Sequence, residues 1–169
     1  MRFTRTDDPI KGIGFVAIYF ANLEDALDAL IRCSGCLFAV PPNIGRRGFR
    51  DRAEWLQKEF RVAFDTCTYP SSDEESVRVD EILKACRAAA LTRNEVVHSP
   101  IIGDGRGGAV RRTRAGAMCR LDVTRVYRFA EDLTALVGEV LWLRFVIEKV
   151  RRARQAAASR EASDAARRP

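Results

Sequence analysis

The run LTALVGEVLWLRFVI, residues 133–147, constrains this chain more than any other stretch. It is long enough for about four helical turns and apolar around most of its circumference, the pattern of a helix that is central in a core or shared with a second subunit. Glu139 and Arg144 interrupt it, and a bilayer would penalise both away from its edge, so it is not a membrane anchor. A chain of 169 residues, 47% of them hydrophobic, can bury one core around such a helix. A single domain is the natural expectation.

Three further segments carry helical periodicity. From about Asp8 to Cys33, Phe15, Ile18, Leu23, Ala26, Leu27, Leu30 and Ile31 recur at intervals of three and four, until Gly35 and FAVPPNIGRRG end the pattern. A second helix is predicted from Phe49 to about Thr66, with Ala53, Leu56, Phe60 and Phe64 as its buried stripe. The third starts near Asp73, where Ser71 or Ser72 can cap it and Asp73, Glu74 and Glu75 suit its positive end. Val79, Ile82, Leu83, Cys86, Ala90 and Val97 continue its apolar face, and Pro100 blocks extension beyond His98 or Ser99. Between it and the last helix, IIGDGRGGAVRRTRAGAMCRLD reads as a long loop or a small hairpin. Asp122 is placed to cap the fourth helix, whose face includes Val126, Phe129, Ala130, Leu133, Val137, Val140, Leu141 and Ile147.

The fold class expected is therefore all-α, a four-helix bundle over residues 8–150 with that loop or hairpin between helices 3 and 4. The basic tail RRARQAAASREASDAARRP, residues 151–169, is helix-compatible at first but has no apolar stripe to hold it, so fraying and then disorder are expected there. A formal charge of +6 favours polyanionic partners. MRFTRTDDPIKG lacks an apolar targeting core and the five cysteines are irregularly spaced, which together suit a reducing cytoplasm. The Cys33 and Cys36 pair has the spacing of a redox or metal half-motif, but no second half with Cys67, Cys86 or Cys119 completes it, and Cys86 belongs to the core face.

The stretch LTRNEVVHSP holds the chemistry. Arg93 projects within ~40° of the apolar face of the third helix, where an unpaired guanidinium is costly, so it must meet a carboxylate, a neighbouring subunit, a water-filled groove or an anion. Asn94 and the single histidine, His98, share a flank of the helix, whereas Arg93 and His98 stand ~140° apart on an ideal helix. The two can still converge on a phosphate lying across the helix terminus, above all if the helix loosens before Pro100 or a second copy closes the site. The last helical carbonyls favour an imidazolium there.

RNEVVH resembles the arginine, polar residue, spacer and histidine motif of the HEPN superfamily, and the long loop before a final apolar helix is similar to its four-helix members. The resemblance spans roughly Asp8 to Val150. It implies a dimeric endoribonuclease that needs neither metal nor cofactor, of the kind found in toxin-antitoxin and phage-defence systems with an antitoxin or regulatory partner. Matched by position, Arg93 and His98 take the catalytic roles, with Asn94 and the following Ser99 in support. RNA would supply its own 2′-hydroxyl nucleophile, leaving 2′,3′-cyclic phosphate and 5′-hydroxyl ends, with His98 moving protons and Arg93 offsetting phosphate charge. One histidine per chain leaves the second proton transfer unassigned.

Arg106, Arg111, Arg112, Arg114 and Arg120, around the GDGRGG loop, can form an RNA-contacting rim or simply a solvated loop. A second function class stays open. Arg93 can pair with Glu24 or Asp25 across the bundle while His98 satisfies its helix end, which would make the chain a noncatalytic dimeric interaction or nucleic-acid-binding module.

Overall fold

The computed structural model describes residues 8–66, 73–103, 109–112 and 116–166. Among them stand helices α1 (Pro9–Ser34), α2 (Phe49–Thr66), α3 (Asp73–Val97) and α4 (Val123–Ala166), a 3-10 turn at Ile44–Arg46, and strands β1 (Ile101–Gly103), β2 (Ala109–Arg112) and β3 (Met118–Arg120). The helical class holds. The segment between α3 and α4, expected as a loop or hairpin, forms a three-stranded antiparallel sheet in the order β1-β2-β3, with Ile102 opposite Val110 and Val110 opposite Arg120.

Local chemistry fixes the helix ends. The Asp8 carboxylate accepts the N–H groups of Ile10 at 2.9 Å and Lys11 at 3.3 Å, and Pro9 occupies the first helical position where no donor is needed. Asp122 does the same for α4, accepting the Arg125 N–H at 3.1 Å. The proposed caps Ser71 and Ser72 lie outside the described residues.

Contacts across three helix pairs set the helix directions. The Tyr127 hydroxyl donates to the Asp8 carbonyl at 3.2 Å, while Arg154 donates to the Leu37 carbonyl at 2.8 Å, so α1 and α4 run side by side in the same direction. A Cβ on Gly12 would stand 3.1 Å from the Tyr127 ring and 3.2 Å from Val126; the glycine allows that close approach. α3 runs against α4, pairing Glu75 with Lys149 near one end and Arg78 with Glu139 further along. It also runs against α2, where Gln57 and Arg61 both reach Asp80 and Arg87 reaches back to Gln57 at 3.0 Å. The end of α3, the start of α4 and the sheet therefore share one end of the bundle.

The core contains Leu23, Leu27, Leu30, Leu56, Phe60, Leu83, Cys86, Leu133, Val140 and Leu143. Most of the expected stripes are buried, but Ile18 is 58% exposed and Leu141 43%. The seam of α1 passes instead through Val16 and Phe20, and that of α4 through Leu143 and Val146, because each helix meets neighbours on a narrower arc than its apolar residues cover. α4 continues past Val150 to Ala166, and the Arg154 bond to Leu37 ties the extension to the segment after α1. No helix among the described residues is long and apolar enough to cross a membrane.

Burial pushes the Asp80 carboxyl up, but Lys84, Gln57 and Arg61 outweigh it and hold it down at about 2. This group's contribution to stability is complete above the ordinary aspartate value near ~4 and is lost as pH falls toward about 2. Denaturant titrations of the wild type and Asp80→Asn should therefore differ most above that window and converge below it. Leu83→Ala, at a fully buried position, should cost about 2–5 kcal/mol in the same titration at neutral pH.

Candidate active site at the end of the third helix

α3 ends at Val97, two residues before the proline-restricted Ser99, and the chain bends through His98 and Ser99. The His98 N–H still reaches the Asn94 carbonyl at 3.2 Å, so the imidazole stays close to the last turn. The two side chains, Arg93 and His98, nevertheless meet across the angular gap expected on an ideal helix. The Arg93 Nη1 lies 2.8 Å from His98 Nε2 and donates to Asn94 Oδ1 at 3.1 Å.

The other side of the guanidinium faces Phe20 of α1, whose ring centroid is 5.3 Å from the Arg93 Cζ. Sequence reasoning missed this ring; its only signal was a large aromatic on the apolar face of α1. A cation over an aromatic face gains about 0.5–2 kcal/mol, the more so when water is excluded. Arg93 is half-buried and its Nε has no hydrogen-bond partner among the described residues, so the ring and the two acceptors on its own helix carry the cost of placing it there. Neither Glu24 nor Asp25 takes Arg93. Glu24 and Asp28 are engaged by Arg52, a buried guanidinium of α2.

His98 is exposed, so the pair has a sheltered cation on one side and an accessible base on the other. Arginine only donates; the bond to Nε2 therefore requires that nitrogen's lone pair, which places the ring hydrogen of the neutral imidazole on Nδ1. Protonating Nε2 breaks the contact. The Ser99 hydroxyl turns away from the pair and donates to the Glu95 carbonyl.

Of the expected rim, Arg106 and Arg114 lie outside the described residues. Arg111 is committed to α3, with its Nη1 3.5 Å from the Glu95 carbonyl oxygen and 3.9 Å from the Glu95 carboxylate. The backbone N–H of Arg112 bonds the Pro100 carbonyl at 3.1 Å, which pins the sheet to the end of α3. Arg111 and Arg120 line a groove of about 690 Å³ between the end of α3, the sheet and the first turns of α4. Its α3 wall is Thr92, Glu95 and Val96, a different flank from the one holding Arg93, Asn94 and His98. Arg125 and Arg128 also line it, and the RxxR spacing in DVTRVYRFAED was the signal available for them.

The cysteines form no comparable centre. The Cys36 thiol donates to the Cys33 carbonyl at 3.2 Å, burial pushes the Cys86 thiol up to about 12, and Cys119 is exposed on β3. Cys67 lies outside the described residues, among which no cluster of three or more His, Cys, Asp or Glu side chains could hold a metal ion.

Because the chain has one histidine, its imidazole nitrogens can be read without ambiguity by long-range ¹⁵N correlation. Above neutral pH the wild type should show the Nδ1–H tautomer, and Arg93→Ala should shift the population toward Nε2–H. An unchanged tautomer in the variant would show that Arg93 does not hold the ring. Comparisons with protein-family models, with curated proteins and with solved structures return no match, so the side chains alone carry the functional reading.

Proposed function

We propose that this chain is a HEPN-like endoribonuclease that cleaves RNA through attack of the 2′-hydroxyl on the adjacent phosphate, without a metal ion. The observation that carries the reading is the 2.8 Å approach of the Arg93 guanidinium to an exposed histidine nitrogen at the end of a helix. An incoming phosphodiester competes with His98 for the Arg93 donors. Once Arg93 turns to the nonbridging oxygens, the Nε2 lone pair is free to take the 2′-hydroxyl proton. The 2′-oxygen bonds to phosphorus, the bond to the 5′-oxygen breaks, and that oxygen takes a proton from the imidazolium or from water. Arg93 offsets the negative charge gathering on the phosphate, where its planar fork of donors serves better than a lysine ammonium.

A dimer belongs to this reading. Ile10 is 76% exposed and Phe145 69%, and with Ile18 and Leu141 they leave apolar surface on α1 and α4 that a second copy would cover. The same surface favours the second reading, a noncatalytic association module in which the Arg93 and His98 pair only closes the end of α3.

Purified wild type, His98→Ala and Arg93→Ala, each checked for fold and oligomeric state, should be incubated with cellular RNA in EDTA and the product ends analysed. The wild type should release 2′,3′-cyclic phosphate and 5′-hydroxyl ends, and His98→Ala should lose roughly 100- to 10,000-fold of the rate. Folded wild type that leaves RNA intact, or a His98→Ala protein that cuts as fast as its parent, would overturn the ribonuclease reading.

A further inference from the structure

We propose that the groove on the opposite flank of α3 is a binding site for single-stranded RNA, in which Arg120, Arg125 and Arg128 take backbone phosphates. The choice of RNA as the polyanion rests on the ribonuclease reading; the site itself rests on the groove. Its volume of about 690 Å³ falls within the roughly 300–1,000 Å³ of established ligand sites. Arg120, Arg125 and Arg128 are all exposed, and their guanidinium groups make no hydrogen bond or ion pair with any described residue. Arg111, on the same groove, differs: its charge is already held by Glu95. The groove therefore presents uncommitted fork-shaped donors beside a structural one, and such donors match phosphate oxygens.

The spacing suits a strand. Arg125 and Arg128 are three residues apart on α4, neighbours along one edge with roughly 5–6 Å between Cβ atoms, and Arg120 extends the line onto β3. Asp122 and Asp132 also line the groove. One Asp122 carboxylate oxygen accepts the Arg125 N–H, and the remaining acidic oxygens repel densely packed phosphate while offering acceptors to ribose 2′-hydroxyls. That mixture disfavours a duplex and discriminates a ribose from a deoxyribose strand. Phe129, half-buried in the wall, adds an aromatic surface against which a base can rest. A strand leaving this groove across Glu95 passes the bend that carries His98, so the groove and the Arg93 pair flank the same helix end.

The test is fluorescence anisotropy with a short fluorescein-labelled oligouridylate in EDTA, across a salt series. The His98→Ala protein serves as the parent, to keep the RNA whole. Arg125→Gln/Arg128→Gln in that background should bind at least about tenfold more weakly, and the slope of log affinity against log salt should fall by about 1.4, at ~0.7 for each phosphate contact on a single strand. Arg46→Gln/Arg47→Gln, which removes two exposed charges before α2, is the matched control for net charge and should lose much less. Equal losses in the two double variants would overturn the site, as would a parent that binds no RNA. Equally tight binding of the matching deoxy strand would overturn the assignment to RNA. Circular dichroism separates misfolding from lost contacts, and a groove single variant, Arg128→Gln, gives an independent reading with a slope change of about 0.7. Cleavage is scored separately: RNA that binds through the groove but is never cut sinks the ribonuclease reading and leaves the groove standing.

Discussion

The contact between the Arg93 guanidinium and the Phe20 ring is the constraint on which the end of this bundle depends. A half-buried cation with an unpartnered Nε is tolerable only where something replaces the water it has lost. Phe20 does so on one side, at 5.3 Å, and Asn94 and His98 accept on the other. The ring is itself fixed, because its centroid lies 4.9 Å from that of Phe49 at the start of α2. Arg52 sits over the Phe49 ring at 6.0 Å and is held to α1 by Glu24 and Asp28. Cation, ring, ring and cation thus form one chain of contacts through three helices, with the two rings tilted 58° to each other. The position of His98 is decided by how α1, α2 and α3 pack as well as by the residues next to it in sequence.

This dependence explains what could be read from the residues and what could not. Helical periods located all four helices, and Asp8, Asp122 and Pro100 marked ends that the structure places within a residue or two, because these signals act through neighbours in sequence. Arc width is not local. Ile18 and Leu141 lie on apolar stripes yet face outward, since the number of helices touching α1 and α4 decides how much of each stripe is covered. The partner of Arg93 was equally hidden: acids on α1 were the obvious candidates, but Arg52 engages Glu24 and Asp28, leaving an aromatic face for Arg93. Between α3 and α4 the small hairpin was readable as an alternative to a loop, but not the third strand, because strands of three or four residues are too short to express a period.

The sheet in turn organises the surroundings of the site. Its bond from Arg112 to Pro100 and the Arg111 bridge to Glu95 fasten β2 to the last turn of α3. With β2 anchored, β3 is carried over the first turns of α4, and the groove is the space left between them. Arg111 is spent on this task, which is why a rim residue expected to meet RNA is a structural tie while the open guanidinium groups come from α4 and the edge of β3. A basic charge balance does not reveal that division; only the location of the carboxylates does.

The same end of the bundle limits how two copies could associate in the proposed dimer. Asp8 touches Tyr127, so the first turns of α1 lie beside the first turns of α4, close to the end where α3 terminates. Ile10 and Ile18 are exposed on this part of α1, and Leu141 and Phe145 continue apolar surface further along α4. Association through these exposed apolar side chains of α1 and α4 would use residues other than Arg120, Arg125 and Arg128, which line the groove between α3, the sheet and the first turns of α4. In the proposed dimer apolar area would drive the pairing, and in the proposed groove guanidinium groups would take the anion, so the two demands would fall on different side chains. Neither has to be weakened to satisfy the other.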